Sequence, residues 1–396
     1  MVREENRLGR NRDDYRRSNR ALVLGMISTG HCSSRAELAR VTGLTKMTIT
    51  NIVNELIEAG LISERKTNHL SPVGRKPIGL EISPEAPKIL GVTIVRSGVE
   101  AVLCDLSLHV LKKKKAVLRE YSEAGLLRLV FRLIDSLLDT EDRVPAIGLS
   151  SIGPVDLNTG TILHPYYFYG IENVAIVKAI EERYHLPVCF DTNSQSAVLT
   201  EKLYGYGQEC EDILFIGINE GIGCGMVGQD RPYRNAGGFS PEFGHVSIDE
   251  NGLRCVCGAK GCIELYVNSS VLLQKFQRAT GKKNAFYRDF CRMEEDAAVR
   301  DIFREAMEKL SIAAVSAVNL LNPELIVLGQ DCVYWPDWCL QLLEERINEK
   351  KFVSSRHEVP VKKACFGEDE VVLGAACNCI YEIFLGHSLF DTLESE

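Results

Sequence analysis

Apolar residues recur at three- and four-residue spacing through residues 19–64, and this spacing predicts three successive helices. The first ends near Ser28, and the second begins at Ser34, where Ser-x-x-Glu has the pattern of a capping box. Gly43 supplies a left-handed turn, and the third helix starts at Thr45. Its predicted buried stripe consists of Ile49, Ile52, Val53 and Leu56.

The opposite face of the third helix is rich in Thr and Asn, whereas a merely solvated face more often carries Glu and Lys. Short polar side chains near the N-terminus of the second helix of such a pair are suited to the major groove of DNA. The predicted DNA contacts there are Lys46, Met47, Thr48, Thr50 and Asn51. A short wing through residues 61–77 would add Arg75 and Lys76 in a minor groove or at phosphates. The alternative is protein–protein contact through the same three-helix fold.

From about residue 87 the pattern changes to strands and helices in the order βββαβαβ, and a similar order follows from about residue 213. The strands are predicted at 88–95, 100–106, 110–118, 146–151, 188–191, 213–218, 225–228, 246–248, 325–328 and 360–366, and the helices at 123–138, 173–184, 301–321 and 337–348. The duplication indicates two mixed-sheet α/β lobes with a cleft between them. We expect a DNA-binding domain over 1–82, a first lobe over 83–194 completed by a helix at 375–396, and a second lobe over 195–374.

Composition and charge refine this organisation. The 396 residues are 45% hydrophobic and 25% charged, as in an ordinary soluble globular protein. Fourteen scattered cysteines, no apolar N-terminal run and no apolar stretch of membrane length together predict a cytoplasmic protein without membrane insertion. Residues 1–80 carry 14 Lys and Arg against 8 Asp and Glu, whereas residues 81–396 have a net charge of −14. The basic segment, residues 1–80, is therefore expected to bind double-stranded DNA, and the acidic segment, residues 81–396, is not.

Three cysteines and a histidine form the most specific pattern in the chain. Cys255, Cys257 and Cys262 lie around two glycines, and His245 precedes the first cysteine by ten residues. Zn²⁺ favours four tetrahedral nitrogen and sulfur ligands, and a closed set of protein ligands makes a site structural. The sequence therefore predicts a structural zinc site, with buried or disulfide-paired cysteines as the alternative.

Several motifs occur together along the chain: Gly-Arg-Lys-Pro at 74–77, a glycine run at 221–225, Glu-Phe-Gly-His at 242–245, Cys-x-Cys-Gly-x-x-Gly-Cys-x-Glu at 255–264 and Asn-Pro-Glu-Leu at 322–325. With the preceding helices they resemble the ROK family, a name that covers repressors, open reading frames and kinases. The resemblance implies an α/β fold class in which a winged helix-turn-helix precedes a bilobal actin/hexokinase-like domain with a zinc-binding segment. It is nearest to the regulator branch, with its xylose-responsive and N-acetylglucosamine-responsive repressors.

The kinases of this family begin their first lobe with an Asp-x-Gly-x-Thr loop that holds the phosphates and metal of ATP. Here Thr93 stands in place of the Asp, and residues 94–97 replace the glycine-threonine turn. A run of branched residues does not permit the close backbone approach that glycines allow. We therefore predict that the protein is not an enzyme, although Asp191 occupies the position of the kinase base.

The resemblance also implies a sugar site. Its matching residues are Asp191, Glu242, His245 and Glu264, and carboxylates suit the task because each accepts hydrogen bonds from two hydroxyls. The family's Asn before the Asp is Phe190 in this chain. Three interpretations stay open: the ligand lacks that contact, the ring stacks on a sugar, or the pocket no longer takes a ligand.

The sequence thus predicts a repressor of sugar-metabolism genes that senses a sugar or sugar phosphate, as a homodimer or homotetramer on a DNA operator. The alternatives are a sugar kinase of the same family and a DNA-binding dimer that needs no ligand. An unusual aromatic run at 166–169 either lines the mouth of the cleft or simply packs.

Overall fold

The computed structural model describes residues 12–66, 78–139, 143–234, 239–352 and 357–393. The chain forms two compact units, of which unit 1 comprises residues 1–191 and 375–396 and unit 2 comprises residues 192–374. Among the described helices, none is long and apolar enough to cross a membrane.

Unit 1 begins with three helices and a two-stranded antiparallel sheet: α1 (Arg12–Ser28), α2 (Arg35–Thr42), α3 (Lys46–Glu58), β1 (Ile62–Lys66) and β2 (Ile78–Ile82). The predicted start and stop signals are confirmed. Ser34 and Thr45 accept the N–H of Glu37 and Thr48, and Gly43 has a left-handed φ of 70°. Glu37, however, does not complete the capping box, because its carboxylate accepts the N–H of Ser33. The predicted buried stripe of α3 is also confirmed.

A five-stranded mixed sheet forms the body of unit 1, in the order β5-β4-β3-β6-β9. Its elements are β3 (Ile89–Val95), β4 (Gly98–Cys104), β5 (Val110–Val117), α4 (Glu123–Leu138), β6 (Ile147–Ser151), α5 (Ile176–Tyr184) and β9 (Val188–Thr192), with the short hairpin β7 (Val155–Asp156) and β8 (Thr161–Ile162). β3 and β6 are parallel. Ile147 donates to the carbonyl of Pro187 at the beginning of β6 and β9, so these two strands are parallel as well.

The end of the chain returns to unit 1. Residues from Ala375 onward of α12 (Glu370–Phe384), followed by α13 (Ser388–Asp391), belong to it. A Cβ on Gly148 of β6 would overlap the carbonyl of Ala375, so this glycine permits the helix to lie directly on the sheet. Asn378 donates to the carbonyl of Leu149, 2.9 Å away.

Unit 2 contains a second mixed sheet, in the order β12-β11-β10-β13-β14. Its strands are β10 (Ile213–Ile218), β11 (Ile222–Gly228), β12 (Arg231–Pro232), β13 (Leu325–Gln330) and β14 (Val361–Lys363). Its helices are α6 (Asn193–Tyr204), α7 (Glu264–Val267), α8 (Ser269–Thr280), α9 (Tyr287–Cys291), α10 (Ala297–Leu321) and α11 (Asp337–Lys350). In the buried core between the helices, the ring of Phe276 lies 5.1 Å from that of Phe303, centroid to centroid, with the ring planes tilted by 51°.

One predicted strand is wrong. Residues 246–248 make only an isolated bridge, between Ser247 and Cys262, instead of a strand. The backbone there is used differently, since Ile248 donates to Gly261 and Ile263 donates to Val246. The segment thus holds the cysteine loop in place and does not extend the sheet.

Candidate functional site

Four side chains of types that can ligate a metal ion lie close together in unit 2. The ligand atoms of His245, Cys255, Cys257 and Cys262 all lie within 4.8 Å of one another. His245 Nδ1 is 3.5 Å from Cys255 Sγ, and Cys257 Sγ is 3.6 Å from Cys262 Sγ. Sulfur ligands at about 2.3 Å from a tetrahedral Zn²⁺ lie about 3.8 Å from one another. The donor set and its spacing therefore fit a tetrahedral metal ion.

Two left-handed glycines shape the cysteine loop. Gly258 has a φ of 94° and Gly261 a φ of 71°, and a Cβ on Gly261 would overlap the backbone of Asp249. The turn closes because Gly258 donates to the carbonyl of Cys255 at 3.1 Å. These glycines allow a tight loop, which brings Cys257 and Cys262 side by side.

The thiols of the cluster differ in acidity. A hydrogen bond from the backbone N–H of Ala259 lowers the pKa of Cys257. Burial, together with the neighbouring thiols, raises the pKa of Cys262 to about 12. A divalent cation among the sulfurs would stabilise the thiolates directly.

Glu242 and Glu264 lie beside His245 in the same unit. Desolvation raises the pKa of Glu242, the imidazole of His245 opposes this rise, and the charge of Glu264 adds to it. Glu264 Oε2 accepts the N–H of Ile222 at 2.9 Å, so one carboxylate oxygen is used by the backbone of β11. Three of the four residues predicted to bind a sugar are therefore grouped within unit 2.

Asp191 lies near the end of β9 in unit 1, where it is buried. It is not the cap of the helix that follows, because Thr192 fills that role by accepting the N–H of Gln195. Phe190 packs against the hydrophobic core of unit 1. Its ring therefore has a structural partner that needs no bound sugar.

Thr93 and the glycine run at 221–225 stand where the kinases of the family bind nucleotide, and packing accounts for the residues found at both places. Thr93 is buried, and Ser150 donates to its hydroxyl at 2.8 Å. In the glycine run, a Cβ on Gly223 or Gly225 would overlap atoms of Ser194 on α6. These glycines are thus required for the packing of β11 on α6, with or without a nucleotide.

The N-terminal half of α3 presents an exposed surface. Lys46, Met47 and Asn51 are exposed, whereas Thr48 and Thr50 are half-buried. Thr48 Oγ1 lies 2.9 Å from the capping hydroxyl of Thr45, and Thr50 donates to the carbonyl of Lys46. Arg75 and Lys76, the other two predicted DNA contacts, lie outside the described residues.

A family model agrees with these features. The model described as ROK family matches residues 89–380, which is well over half of the chain. The chain belongs to the ROK family. This membership confirms the resemblance that the motifs carry.

Relatives with known names match almost the full length of the chain. The xylose repressor of Caldicellulosiruptor bescii is 25% identical over 385 residues, covering 92% of this chain and 96% of that protein. The DNA-binding transcriptional dual regulator NagC of Escherichia coli is 27% identical over 368 residues, covering 89% of this chain and 90% of that one. The crystal structure of a ROK family transcriptional regulator, a homologue of the E. coli MLC protein, superposes with a TM-score of 0.80 at 25% identity. It covers 97% of this chain and 100% of that chain.

One aromatic contact in this ROK protein was not predicted from the sequence. The ring of Tyr121 stacks on that of Tyr169, with centroids 4.0 Å apart and planes 20° from parallel. The aromatic run itself was visible in the sequence, but Tyr121 lies 48 positions away and carries no periodic signal. Only the fold brings these two rings together.

Proposed function

We propose that this protein is a DNA-binding transcriptional repressor of sugar-metabolism genes whose operator affinity responds to a sugar or sugar phosphate. The observation that carries the proposal is the exposed polar surface on the N-terminal half of α3. The capped ends of α2 and α3 and the left-handed Gly43 between them fix the position of this surface relative to α2. It is supported by near full-length similarity to proteins named as a xylose repressor and as NagC.

In this proposal α1, α2 and α3 with the β1–β2 sheet act as a winged helix-turn-helix. Asn51 and Lys46 read base edges or phosphates, and the exposed Met47 offers an apolar contact for a thymine methyl group. Thr48 and Thr50 line the same helix, and Arg75 and Lys76 extend the contacts from the wing. A homodimer would place two α3 helices about one DNA turn, or a multiple of it, apart on a palindromic operator. A homotetramer would present two such pairs.

A structural zinc ion is proposed for unit 2, held by His245, Cys255, Cys257 and Cys262. The ion would supply folding free energy to the cysteine loop and would perform no chemistry on a ligand. The observation behind this assignment is the grouping of four ligand atoms within 4.8 Å.

The effector is assigned to Asp191, Glu242, His245 and Glu264. Carboxylates and an imidazole read the stereochemistry of hydroxyl groups, and His245 has a second ring nitrogen besides the one facing Cys255. A sugar that binds one of two conformations more tightly changes operator affinity by its differential affinity for the two.

The test is selection of bound fragments from genomic DNA, followed by sequencing. We expect enrichment of a palindrome upstream of sugar-uptake or sugar-metabolism genes. Asn51→Ala should abolish the enrichment, whereas Asn284→Ala, at an exposed position on unit 2, should leave it intact. No enrichment by the folded wild-type protein would refute the repressor.

A further inference from the structure

Four tyrosines of unit 1 leave much of their rings in solvent. The exposed fractions are 56% for Tyr121, 41% for Tyr166, 69% for Tyr167 and 50% for Tyr169. At roughly 200 Å² per aromatic side chain, they present about 400 Å² of amphipathic surface. A stable protein interface takes about 800 Å² from each partner, so this patch has the size for a small ligand instead.

The backbone of this loop is strained where the tyrosines stand. Tyr167 and Tyr169 have φ values of 59° and 56°, in the left-handed region, while Phe168 between them is buried. A bulky residue there costs roughly 1–2 kcal/mol, and glycine would adopt the same conformation without that cost. Such strain at exposed side chains points to a role for the side chains themselves.

The loop lies at the edge of the sheet where a ligand is expected. Arg96, directly after β3, donates through Nε to the carbonyl of Tyr166 at 3.4 Å. Tyr121 follows β5, whose last residue, Val117, pairs with Gly98 beside the same β3–β4 turn. Asp191 lies at the end of β9, which is parallel to β6 and β3. The tyrosines and Asp191 therefore share the edge formed by the carboxyl ends of the parallel strands, where open α/β sheets bind ligands.

The rings are separated from Asp191 along this edge. Tyr166 lies near the end of β3, and β6 stands between β3 and β9. Two strand spacings amount to about 10 Å. A single sugar ring held at Asp191 does not extend that far, but a linked second ring does.

We propose that Tyr121, Tyr166, Tyr167 and Tyr169 form an aromatic subsite for the second ring of a disaccharide or other glycoside. This inference rests on the proposed sugar site at Asp191. The apolar face of a pyranose packs on a tyrosine ring, and the phenol hydroxyls remain available for its polar edge. The subsite makes a glycoside, and not a free monosaccharide, the preferred effector.

The experiment compares three pairs of probes by calorimetry on the full-length, zinc-loaded protein: xylose with xylobiose, glucose with cellobiose, and N-acetylglucosamine with chitobiose. We expect at least one disaccharide to bind about tenfold more tightly than its monosaccharide. Tyr169→Gly should remove this preference while leaving monosaccharide affinity within about twofold. Because glycine adopts the local φ without strain, the relief of that strain offsets the lost stacking on Tyr121, and the variant should remain folded.

Two further variants make the test specific. Tyr169→Phe keeps the ring and should retain most of the preference. Tyr206→Ala removes a tyrosine of unit 2 with 57% exposure and should change nothing. The proposal is overturned if no disaccharide binds more tightly than its monosaccharide, or if Tyr169→Gly weakens both members of a pair equally.

Operator affinity, measured in the same samples, separates this inference from the proposed function. Release by a monosaccharide without any effect of the tyrosine variants would leave the repressor standing and remove the subsite. Tyrosine-dependent disaccharide binding without any effect on operator affinity would keep the subsite and remove the sensing function.

Discussion

At the scale of single residues, Cys257 is the exposed cysteine of the proposed zinc site. Its replacement by serine removes one ligand with little loss of packing. We expect metal analysis to find about one Zn per wild-type chain and much less in Cys257→Ser. Unfolding of the variant should begin at a lower denaturant concentration, because zinc binding contributes folding free energy.

The matched control is Cys210→Ser, which removes a half-buried thiol outside the cluster. It should retain the full zinc content. Equal zinc in Cys257→Ser and the wild type would show that the cluster does not hold the metal.

The burial of Glu370 predicts a pH dependence of the protein's stability. Its carboxyl group is buried beneath Gly329, and burial raises its pKa to about 8. One carboxylate oxygen accepts the N–H of Gln330. In the folded protein the group therefore keeps its proton at neutral pH, whereas in the unfolded chain it loses it near pH 4.5.

This difference in pKa fixes the direction in which stability changes with pH. The folded state binds more protons between pH 4.5 and 8, so stability is highest below this window and falls as pH rises through it. At 1.36 kcal/mol per pKa unit, the loss at pH 7 is on the order of 3 kcal/mol. Glu370→Gln should remove this loss, and its stability relative to the wild type should rise from pH 5 to pH 8 in denaturant titrations.

Glu349→Gln, at an exposed position on α11, is the control and should follow the wild-type pH dependence. A Glu370→Gln curve parallel to that of the wild type would mean that the carboxyl group is ionised in the folded protein.

At the scale of elements, α1 is fastened to the end of the chain within unit 1. Arg17 pairs with Asp391 at 2.9 Å, and the guanidinium of Arg20 lies over the ring of Phe390. A Cβ on Gly386 would lie 3.0 Å from the Cα of Ser18. Helix α1 is thus packed on α13 and the turn before it.

Gly386→Ala tests this packing. Both the left-handed φ of 69° and the contact with α1 oppose a methyl group there. We expect amide hydrogen exchange in α1 to accelerate about tenfold, which corresponds to about 1.4 kcal/mol. Gly281→Ala provides the control, since it also has a left-handed φ but no atom within 4 Å of the added methyl. It should leave α1 unchanged, and equal exchange in both variants would refute the proposed fastening.

At the scale of the whole molecule, the fold of a ROK protein is compatible with either regulation or phosphoryl transfer. We expect no ATP-dependent phosphorylation of a monosaccharide, because Thr93 is buried and bonded to Ser150 where the kinases have a metal-binding aspartate. A coupled assay for ADP with a monosaccharide panel measures this. Sugar-dependent ADP formation that disappears in Asp191→Asn would contradict the prediction, whereas activity unaffected by that change would come from a contaminating kinase.

The elements that could be predicted are those with a simple period. Helix α3 could be predicted because its buried residues recur every three or four positions along one face. Strand β10 could be predicted because it is a continuous run of buried apolar residues. Helix α6 was missed. It is buried on nearly all sides, including Gln195 and Glu201, so its sequence has no polar face to reveal it.

The sequence alone determined which residues are chemically suited to metal, sugar and DNA, because ligand type, capping signals and charge are local properties. It also indicated the family, because the glycine run, the Glu-Phe-Gly-His motif and the cysteine motif follow one another in the order that the family shows. Only the tertiary structure decided that Val246–Ile248 serves the cysteine loop, that Glu370 is buried and that Tyr121 meets Tyr169. These facts depend on contacts between residues far apart in the chain, and the free energy of such contacts is set by burial and packing that no local pattern encodes.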